Sequence, residues 1–368
     1  DFYGKLPFKN GGIVDLKRNY YGFGSSLDLK KEINKFRYKI KLGIEYLSQE
    51  DQRDRYENLM GDKGIITFSQ LESFKNFGTY ILSNLEYENL FAQTGLRYDN
   101  QNIGTDSIGN EIKYNSINPS FGISYLIGKK NRVFINFSTS FESPSLSELS
   151  SNPLGKEGFN KKLNPSKAKN HEIGWKFFGT KTIVETTLFY IKSSNELLPY
   201  ELEEFPGRSF YRNSGSSNRM GIEISYKRSW KNFTLIRSIS YAKYVFDNYI
   251  KKGNDLSGND IPGIPSKMTN VELNYNNKKG WQFQFNYNNV GKFYAEDENK
   301  IKIDTYTICN IQSSKTFYKN WGEISISGGI KNVFNKDYYD NIRINAFGGR
   351  YYEAAPGRNF FTSLTIKL

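Results

Sequence analysis

The sequence has 368 residues, of which 24% are charged and 16% are aromatic, and its formal net charge is +13. No stretch approaches about 18 consecutive apolar residues, which excludes a protein that crosses a membrane with helices. The single cysteine, Cys309, and the single histidine, His171, exclude a disulfide framework, thiolate metal clusters and multi-histidine metal sites.

The positive charge does not indicate nucleic-acid binding. Lysines and arginines are spread along the whole chain, and pairs such as Lys129-Lys130 and Lys278-Lys279 are typical of the largest clusters. No RNP-like, zinc-finger or helix-turn-helix pattern is present. Serines are abundant, but His171 lies in no recognisable triad context, so the sequence predicts neither an enzyme nor a cofactor site.

Alternation of apolar and polar residues starts near the beginning of the chain and continues to its end. The first predicted strand is near 19–30, and later examples are 133–138 and 222–227. The clearest run is 281–288, where every odd position is aromatic and every even position is an amide. Because successive side chains of a strand point to opposite faces, these strands have one apolar and one polar face.

The alternating runs predict about fifteen strands of roughly 10–14 residues, ending with 357–368. Ordinary globular strands have about 5–6 residues, whereas strands of about 9–11 tilted residues cross a bilayer. The separators between strands alternate between short and long. The short ones are 86–89, 128–131, 179–181, 229–232, 276–280 and 317–320. The long ones are 49–63, 101–115, 142–168, 194–218, 248–267 and 335–356.

This pattern predicts an all-β fold, a transmembrane antiparallel up-and-down β-barrel with tight turns on one rim and long loops on the other. A soluble propeller would show a repeat near about 40 residues, which the sequence lacks. A soluble sandwich would have shorter strands. The lipid-facing set is predicted to be Phe137, Ile224, Phe283, Phe285, Leu364 and Ile366. The lumen-facing set is predicted to be Glu223, Gln282, Gln284 and Lys367.

The odd strand number makes an incomplete barrel the expectation. Single-chain bacterial barrels have even strand numbers, and both chain ends normally lie at the tight-turn rim. The last predicted strand ends at that rim, but the first one runs down from the long-loop rim. We therefore expect strands upstream of residue 1, and an edge of the first strand that is unpaired or paired with residues outside this chain.

Four sequence motifs resemble TonB-dependent outer-membrane receptors of Gram-negative bacteria. The C-terminal stretch 330–368 contains Asn332-Val333-Phe334 with Tyr338, then the run YEAAPGR at 352–358. That family often closes with N-L-F-x-x-x-Y, a long loop, and Y-x-P-x-P-G-R before its final strand. Ala354 replaces the first proline of this pattern, and Leu368 stands where an aromatic residue is common.

The other three motifs lie inside the chain and follow the family order. They are TGLRYD at 94–99, FESPSLSEL at 141–149 followed by 158–176, and YRNSGSSNRMGIEIS at 211–225. Ser166 stands where the family usually has Glu. The resemblance covers about 53–368, and its strength lies in four motifs in family order on a barrel pattern.

The resemblance implies a barrel of about 22 strands occluded by an N-terminal plug. Residues 1–368 would then be the C-terminal part of the barrel, with the plug and about seven strands outside this chain. The implied function is energised import of a scarce nutrient, most often a ferric siderophore, driven by the inner-membrane TonB complex through the plug. The alternatives are import of an oligosaccharide, cobalamin, haem or another metal chelate, and a passive porin.

The long loops supply the candidate ligand contacts. Arginine forks suit carboxylate, catecholate and hydroxamate oxygens, and aromatic rings add flat apolar contact and cation–π partners. The candidates are Arg208, Tyr211, Arg212, Arg343, Arg350, Tyr351 and Tyr352. Together with the net charge they favour an anionic iron chelate over a neutral sugar. Solvated loop charge and contact with outer-membrane lipid and lipopolysaccharide are the alternative roles of these residues.

Two further features are weaker candidates. His171 follows the long loop 142–168, where it is either a polar residue at the rim or a haem ligand. The acidic segment 200–205 could hold Ca²⁺ through Glu201, Glu203 and Glu204, but it lacks an Asp-Gly loop geometry. The sequence predicts no metal site.

Overall fold

Fifteen strands form one antiparallel sheet in which neighbours in the sheet are neighbours along the chain, once short hairpins in the connections are set aside. The computed structural model describes residues 12–106, 111–154, 157–213 and 215–368. The sheet comprises β1 (Ile13–Ile33), β2 (Phe36–Leu59), β3 (Asp62–Tyr87), β4 (Leu90–Thr105), β5 (Ile112–Ile127), β6 (Asn131–Glu142), β7 (Ser166–Phe178), β8 (Thr182–Ser194), β11 (Ser216–Trp230), β12 (Phe233–Asn248), β15 (Lys267–Asn276), β16 (Trp281–Val290), β19 (Tyr306–Lys319), β20 (Gly322–Lys331) and β23 (Asn359–Lys367).

The connections carry the remaining elements. The helix α1 (Leu146–Ser150) and a 3₁₀ turn (Phe347–Gly349) are the helical ones. The hairpins are β9 (Leu197–Leu202) with β10 (Phe205–Asn213), β13 (Ile250–Lys251) with β14 (Asn254–Asp255), β17 (Phe293–Tyr294) with β18 (Lys302–Ile303), and β21 (Tyr339–Ile342) with β22 (Tyr352–Ala354). In the described residues, no helix is long and apolar enough to cross a membrane.

The predicted all-β, antiparallel up-and-down wall with about fifteen strands is confirmed. Tight turns join the strand pairs at one rim, as at 88–89, 179–181 and 231–232, and most long connections lie at the opposite rim. Two connections were missing from the predicted separators, the tight turn 34–35 and the long connection 291–305.

The predicted long loop at 49–63 is wrong. Here β2 and β3 continue as strands of 24 and 26 residues to a tight turn at 60–61. Polar residues occupy both faces of this segment, such as Asp51 inside and Glu50 outside, so the apolar alternation disappears while the ladder continues. For the same reason β4 and β5 extend into the predicted loop 101–115, and the predicted lengths of roughly 10–14 residues are too short for the first five strands.

The sheet separates an apolar face from a polar one, as predicted. Ladder partners lie on the same face of a sheet, and the partners Phe285↔Leu273 and Leu273↔Leu235 extend one apolar row across three strands. Following the register across all fifteen strands places all six predicted lipid-facing residues on this face. Phe283 is 47% exposed and is not part of a packed core. Glu223, Gln282, Gln284 and Lys367 alternate onto the opposite face.

Aromatic rings cluster on the apolar face beside the tight turns. Phe36 and Tyr87 stack at 4.3 Å between ring centroids, and Trp281 and Phe283 stack at 5.8 Å. Outer-membrane barrels carry aromatic girdles of this kind at their membrane–water interfaces.

The two outermost strands of the sheet each have one neighbour. Within the described ranges, β1 pairs with β2 and β23 pairs with β20, so the sheet is open along both edges. Its packed cores lie at the long-loop rim. One contains Ile103, Leu146, Leu149, Phe159 and Leu163, and the other contains Leu198, Phe246, Tyr249, Leu256 and Ile261.

Candidate ligand-binding site at the long-loop rim

The connection after β6 folds onto the inner side of the β2–β3 hairpin through helix α1. Ser145 and Glu148 form a capping box that starts the helix. Leu146 and Leu149 then turn into the apolar core with Ile103. A five-residue helix is too short to be stable alone, so burial of these leucines holds it in place.

Buried polar contacts fix the same connection to the strands below it. Arg53 donates to both carboxylate oxygens of Glu72, at 2.7 and 3.1 Å, and to Ser147 Oγ at 3.1 Å. Ser150 Oγ also donates to Glu72. Arg55 Nη2 donates to the backbone carbonyl of Ser150 at 3.2 Å. These strand residues therefore form the floor beneath α1.

The β9–β10 hairpin lies against this connection. Asn213 accepts from the backbone N–H of Asn164 and donates to its carbonyl, both at 2.8 Å. Tyr211 packs on the core formed by α1, and burial together with the negative charge of Glu148 raises the pKa of its hydroxyl. Tyr211 is thus a packing residue of this rim.

Arg208 projects from the same hairpin without a carboxylate partner. Its guanidinium carbon lies 4.9 Å from the ring centroid of Phe210 and 5.5 Å from that of Phe205. Within the described ranges no hydrogen bond or ion pair reaches its side chain. Burial and then the charge of Arg53 lower the pKa of Arg208 to about 10, so this side chain remains a cation at neutral pH.

Asp297 connects four of the long connections. Its fully buried carboxylate accepts from Arg212 Nη2 at 3.0 Å, from the Tyr249 hydroxyl at 2.9 Å, from Lys251 Nζ at 3.2 Å and from Asn345 Nδ2 at 2.9 Å. These partners follow β8, β12 and β20, and Asp297 itself follows β16. Two cations share one desolvated carboxylate, an arrangement in which each hydrogen bond is charge-assisted.

Glu201 anchors the last long connection to the β9–β10 hairpin. Its nearly buried carboxylate lies 3.3 Å from Arg343 Nη2 and 2.6 Å from Arg350 Nη2. The backbone N–H of Arg343 also donates to the carbonyl of Tyr351 at 2.8 Å. Glu201 therefore binds arginines in this structure.

The seven predicted ligand contacts lie on the long-loop side in two groups. Arg208, Tyr211 and Arg212 belong to β10, whereas Arg343, Arg350, Tyr351 and Tyr352 belong to the connection after β20. Three arginines of the set, Arg212, Arg343 and Arg350, are paired with carboxylates. Tyr352 stacks on Tyr339 with 4.6 Å between ring centroids and is 46% exposed. Whether any of the seven contacts a ligand stays a prediction.

Sequence reasoning missed the polar residues that fix the long connections of this rim. Arg53, Arg55 and Glu72 were hidden because the end of β2 resembled a loop and because Glu72 lies among polar neighbours in β3. Asp297 carries no local signal, since its partner Arg212 lies 85 residues away along the chain. The sequence indicates Glu201 only as a candidate Ca²⁺ ligand, and its arginine partner Arg350 lies 149 residues away. Within the described residues no group of three or more His, Cys, Asp and Glu side chains could hold a metal ion.

His171 lies on the apolar outer face of the wall. Its ring is 5.1 Å from that of Phe137 and 6.3 Å from that of Tyr190, and the three are ladder neighbours on β6, β7 and β8. A residue on this face points away from the lumen, so its position supports the role of a polar residue at the rim over that of a ligand for imported haem.

The family model described as "TonB dependent receptor-like, beta-barrel" matches residues 2–333. A protein of Photobacterium profundum, named vitamin B12 transporter BtuB, is 23% identical over 242 residues, which is 63% of this chain and 36% of that protein.

Among solved structures, the ferric citrate transporter FecA in its unliganded form has a TM-score of 0.78 at 17% identity. The match covers 97% of this chain and 55% of FecA. BauA, the ferric preacinetobactin receptor of Acinetobacter baumannii, has a TM-score of 0.76 at 15% identity, covering 96% of this chain and 55% of BauA. At these identities the likeness establishes the fold, and the chain spans about half the length of these structures.

Proposed function

Because this chain belongs to the TonB-dependent receptor-like β-barrel family, we propose that it is part of an outer-membrane receptor that binds a ferric siderophore and imports it with energy from the TonB complex. The proteins of this family are transport receptors rather than enzymes. Strands with one apolar and one polar face, joined by tight turns at one rim and long loops at the other, are the architecture that such a role requires.

Residues 1–368 are proposed to be the C-terminal part of that receptor, with the plug and the first strands elsewhere in the whole protein. Two observations support this. The chain covers 55% of the length of similar structures, and its described sheet is open at β1 and at β23. The TonB complex would then act through a plug that fills the lumen.

The observation that favours an anionic chelate is the concentration of arginines beneath the long connections. Arg18, Arg53 and Arg55 lie on the inner face of β1 and β2, and Arg208 lies on the β9–β10 hairpin. The fully buried carboxylates of β2 and β3 beside them are two, Asp51 and Glu72. A neutral sugar would not require this excess charge, while ferric siderophores commonly carry acidic oxygens that guanidinium groups bind well.

Cobalamin is the second candidate ligand, because the curated relative is named a vitamin B12 transporter. An oligosaccharide, haem, another metal chelate and a passive pore are further alternatives. The test is growth of a host that lacks its own receptors and carries the complete protein. Iron-limited growth rescued by ferric siderophores supports the proposal, and rescue only by cobalamin or a glycan contradicts the siderophore assignment.

We also propose that the outer wall binds lipopolysaccharide phosphates above its apolar band. Lys169 and Lys192 are direct ladder partners on the outer face, where opposed like charges destabilise a strand pair. Lys167 and Lys243 are exposed on the same face, and Asp247, 3.6 Å from Lys192, is the nearest carboxylate. A phosphate between the two lysines would relieve their repulsion.

The control for lipid binding is on the same strands. Lys169→Gln with Lys192→Gln should reduce the lipopolysaccharide that co-purifies with the full receptor, whereas Lys176→Gln, an inward residue of β7 paired with Glu185 at 2.7 Å, should not. Equal lipid content in both variants would contradict this site.

A further inference from the structure

The inner surface near α1 holds more guanidinium groups than carboxylates. Arg18 donates to both oxygens of Asp51 at 2.7 Å, and Arg53 donates to both oxygens of Glu72. In each of these two pairs the charge of the guanidinium group is neutralised by one carboxylate. Both carboxylates are fully buried and already hold bidentate arginine partners, so each has little capacity for another cation.

Arg55 and Arg208 are the unbalanced charges of this surface. Arg55 is 8% exposed, donates to a backbone carbonyl and lies over the Phe68 ring at 4.8 Å. Arg208 rests on Phe205 and Phe210, and the described residues place no carboxylate within ion-pair distance of it. Removing a charge from water without a counter-charge is costly. Arg208, which has neither a carboxylate nor a hydrogen-bond acceptor among the described residues, therefore gains most from a bound anion.

Arg208 is positioned to receive that anion. The two aromatic rings hold the guanidinium by cation–π contact and leave its N–H groups without protein acceptors. The charge of Arg53 lowers the pKa of Arg208, so the local field at this guanidinium favours an anion. Glu148 of α1, whose charge acts on the neighbouring Tyr211, is bonded to Ser145 at its own helix start.

We propose that Arg208, held on the rings of Phe205 and Phe210, forms a binding site for an ionised carboxylate group of the imported ligand. This inference rests on the proposed receptor function and narrows its ligand to an acid-bearing chelate. It also separates the roles of the arginines. Arg212, Arg343 and Arg350 hold the long connections to Asp297 and Glu201, whereas Arg208 binds the ligand.

The test uses the complete receptor in detergent with succinate as the probe and uncharged succinamide as its control. A ligand that binds the folded state raises the melting temperature as its concentration exceeds Kd. Succinate is expected to raise the melting temperature of the parent and succinamide is not. Arg208→Gln should weaken succinate binding at least about tenfold, a change of about 1.4 kcal/mol.

Two matched variants keep this test decisive. Arg358→Gln removes an exposed arginine of the same rim outside the cluster and should bind succinate like the parent. Arg208→Lys keeps the charge but loses the fork, so its succinate affinity should lie between those of the parent and Arg208→Gln. It also serves as the readout if Arg208→Gln fails to fold.

Two outcomes would overturn the site: no succinate-dependent shift in the parent up to about 50 mM, or equal affinity in the parent and the Arg208 variants. Failure of the proposed function is distinguishable from both. A parent that binds succinate through Arg208 but takes up no ferric siderophore retains the carboxylate site and loses the siderophore assignment. Ferric siderophore uptake without any effect of succinate would retain the siderophore assignment and overturn the carboxylate site.

Discussion

The arginines at the long-loop rim differ in the side chains with which they form hydrogen bonds and ion pairs. Arg212 shares Asp297 with Lys251 and the Tyr249 hydroxyl, and the bond joins residues 85 positions apart. Sequence reasoning could predict that Arg212 lies in a long loop, because loop boundaries follow from the strand pattern. It could not predict the partner, because that choice depends on how separate loops fold over the lumen.

Asp297→Asn should loosen all four connections that meet at this carboxylate. The substitution preserves shape but leaves two cations facing a neutral amide, and breaking a buried ion pair in this way costs about 3–5 kcal/mol. We expect faster amide hydrogen exchange in 195–213, 249–266, 291–305 and 332–358. Asp304→Asn, a control in the same connection with an exposed carboxylate, should leave exchange unchanged, and equal exchange in both variants would refute the role of Asp297.

Because of the Tyr249 hydroxyl, we expect the stability of the cluster around Asp297 to depend on pH. Burial and the charge of Asp297 raise the pKa of this hydroxyl, against a smaller opposing effect of Arg212. A phenol whose pKa is raised by folding stabilises the folded cluster below its unfolded pKa of about 10, and that stabilisation is lost as pH rises above it.

Proteolysis of the long connections should therefore accelerate as pH rises above about 10. In Tyr249→Phe this added alkaline sensitivity should be absent, although cleavage at neutral pH should be faster because the hydrogen bond to Asp297 is lost. Parallel pH profiles in the parent and Tyr249→Phe would show that Tyr249 does not control the cluster.

Among the strands, the alternation of residue types predicted where each lies and which face is apolar. Phe283 and Phe285 alternate with Gln282 and Gln284 in both the sequence and the sheet. The prediction failed at the outer ends of β2 and β3, since strands that extend beyond an apolar environment no longer need an apolar face. The β9–β10 hairpin was missed because its stability comes from contacts with other connections.

Two lysine substitutions on adjacent residues of β16 distinguish the two faces of the wall. Phe285→Lys places a charge in the apolar row beside Leu273 and Ile311, where we expect a loss of about 2–4 kcal/mol of folding stability in the membrane. Gln284→Lys faces the lumen and should fold like the parent. The measurement is folded receptor recovered in outer-membrane fractions, and equal recovery of both variants would contradict the assignment of faces.

At the scale of the whole molecule, the fold and the family follow from features that persist along the chain. Strand alternation and four ordered motifs are distributed over most of its length, and the family match spans 2–333. The ligand is harder to predict because it depends on a few side chains brought together by loops. Structural relatives that share the fold at 17% identity or less carry different cargo in their names.

We propose that the whole receptor imports ferric siderophores with energy from the TonB complex. The most direct test of this proposal is accumulation of radioactive iron from ferric siderophores by receptor-deficient cells that carry the complete protein, with and without a functional TonB motor. We expect saturable iron accumulation that requires the motor. Accumulation that persists without the motor, or accumulation of cobalamin with no iron uptake, would contradict it.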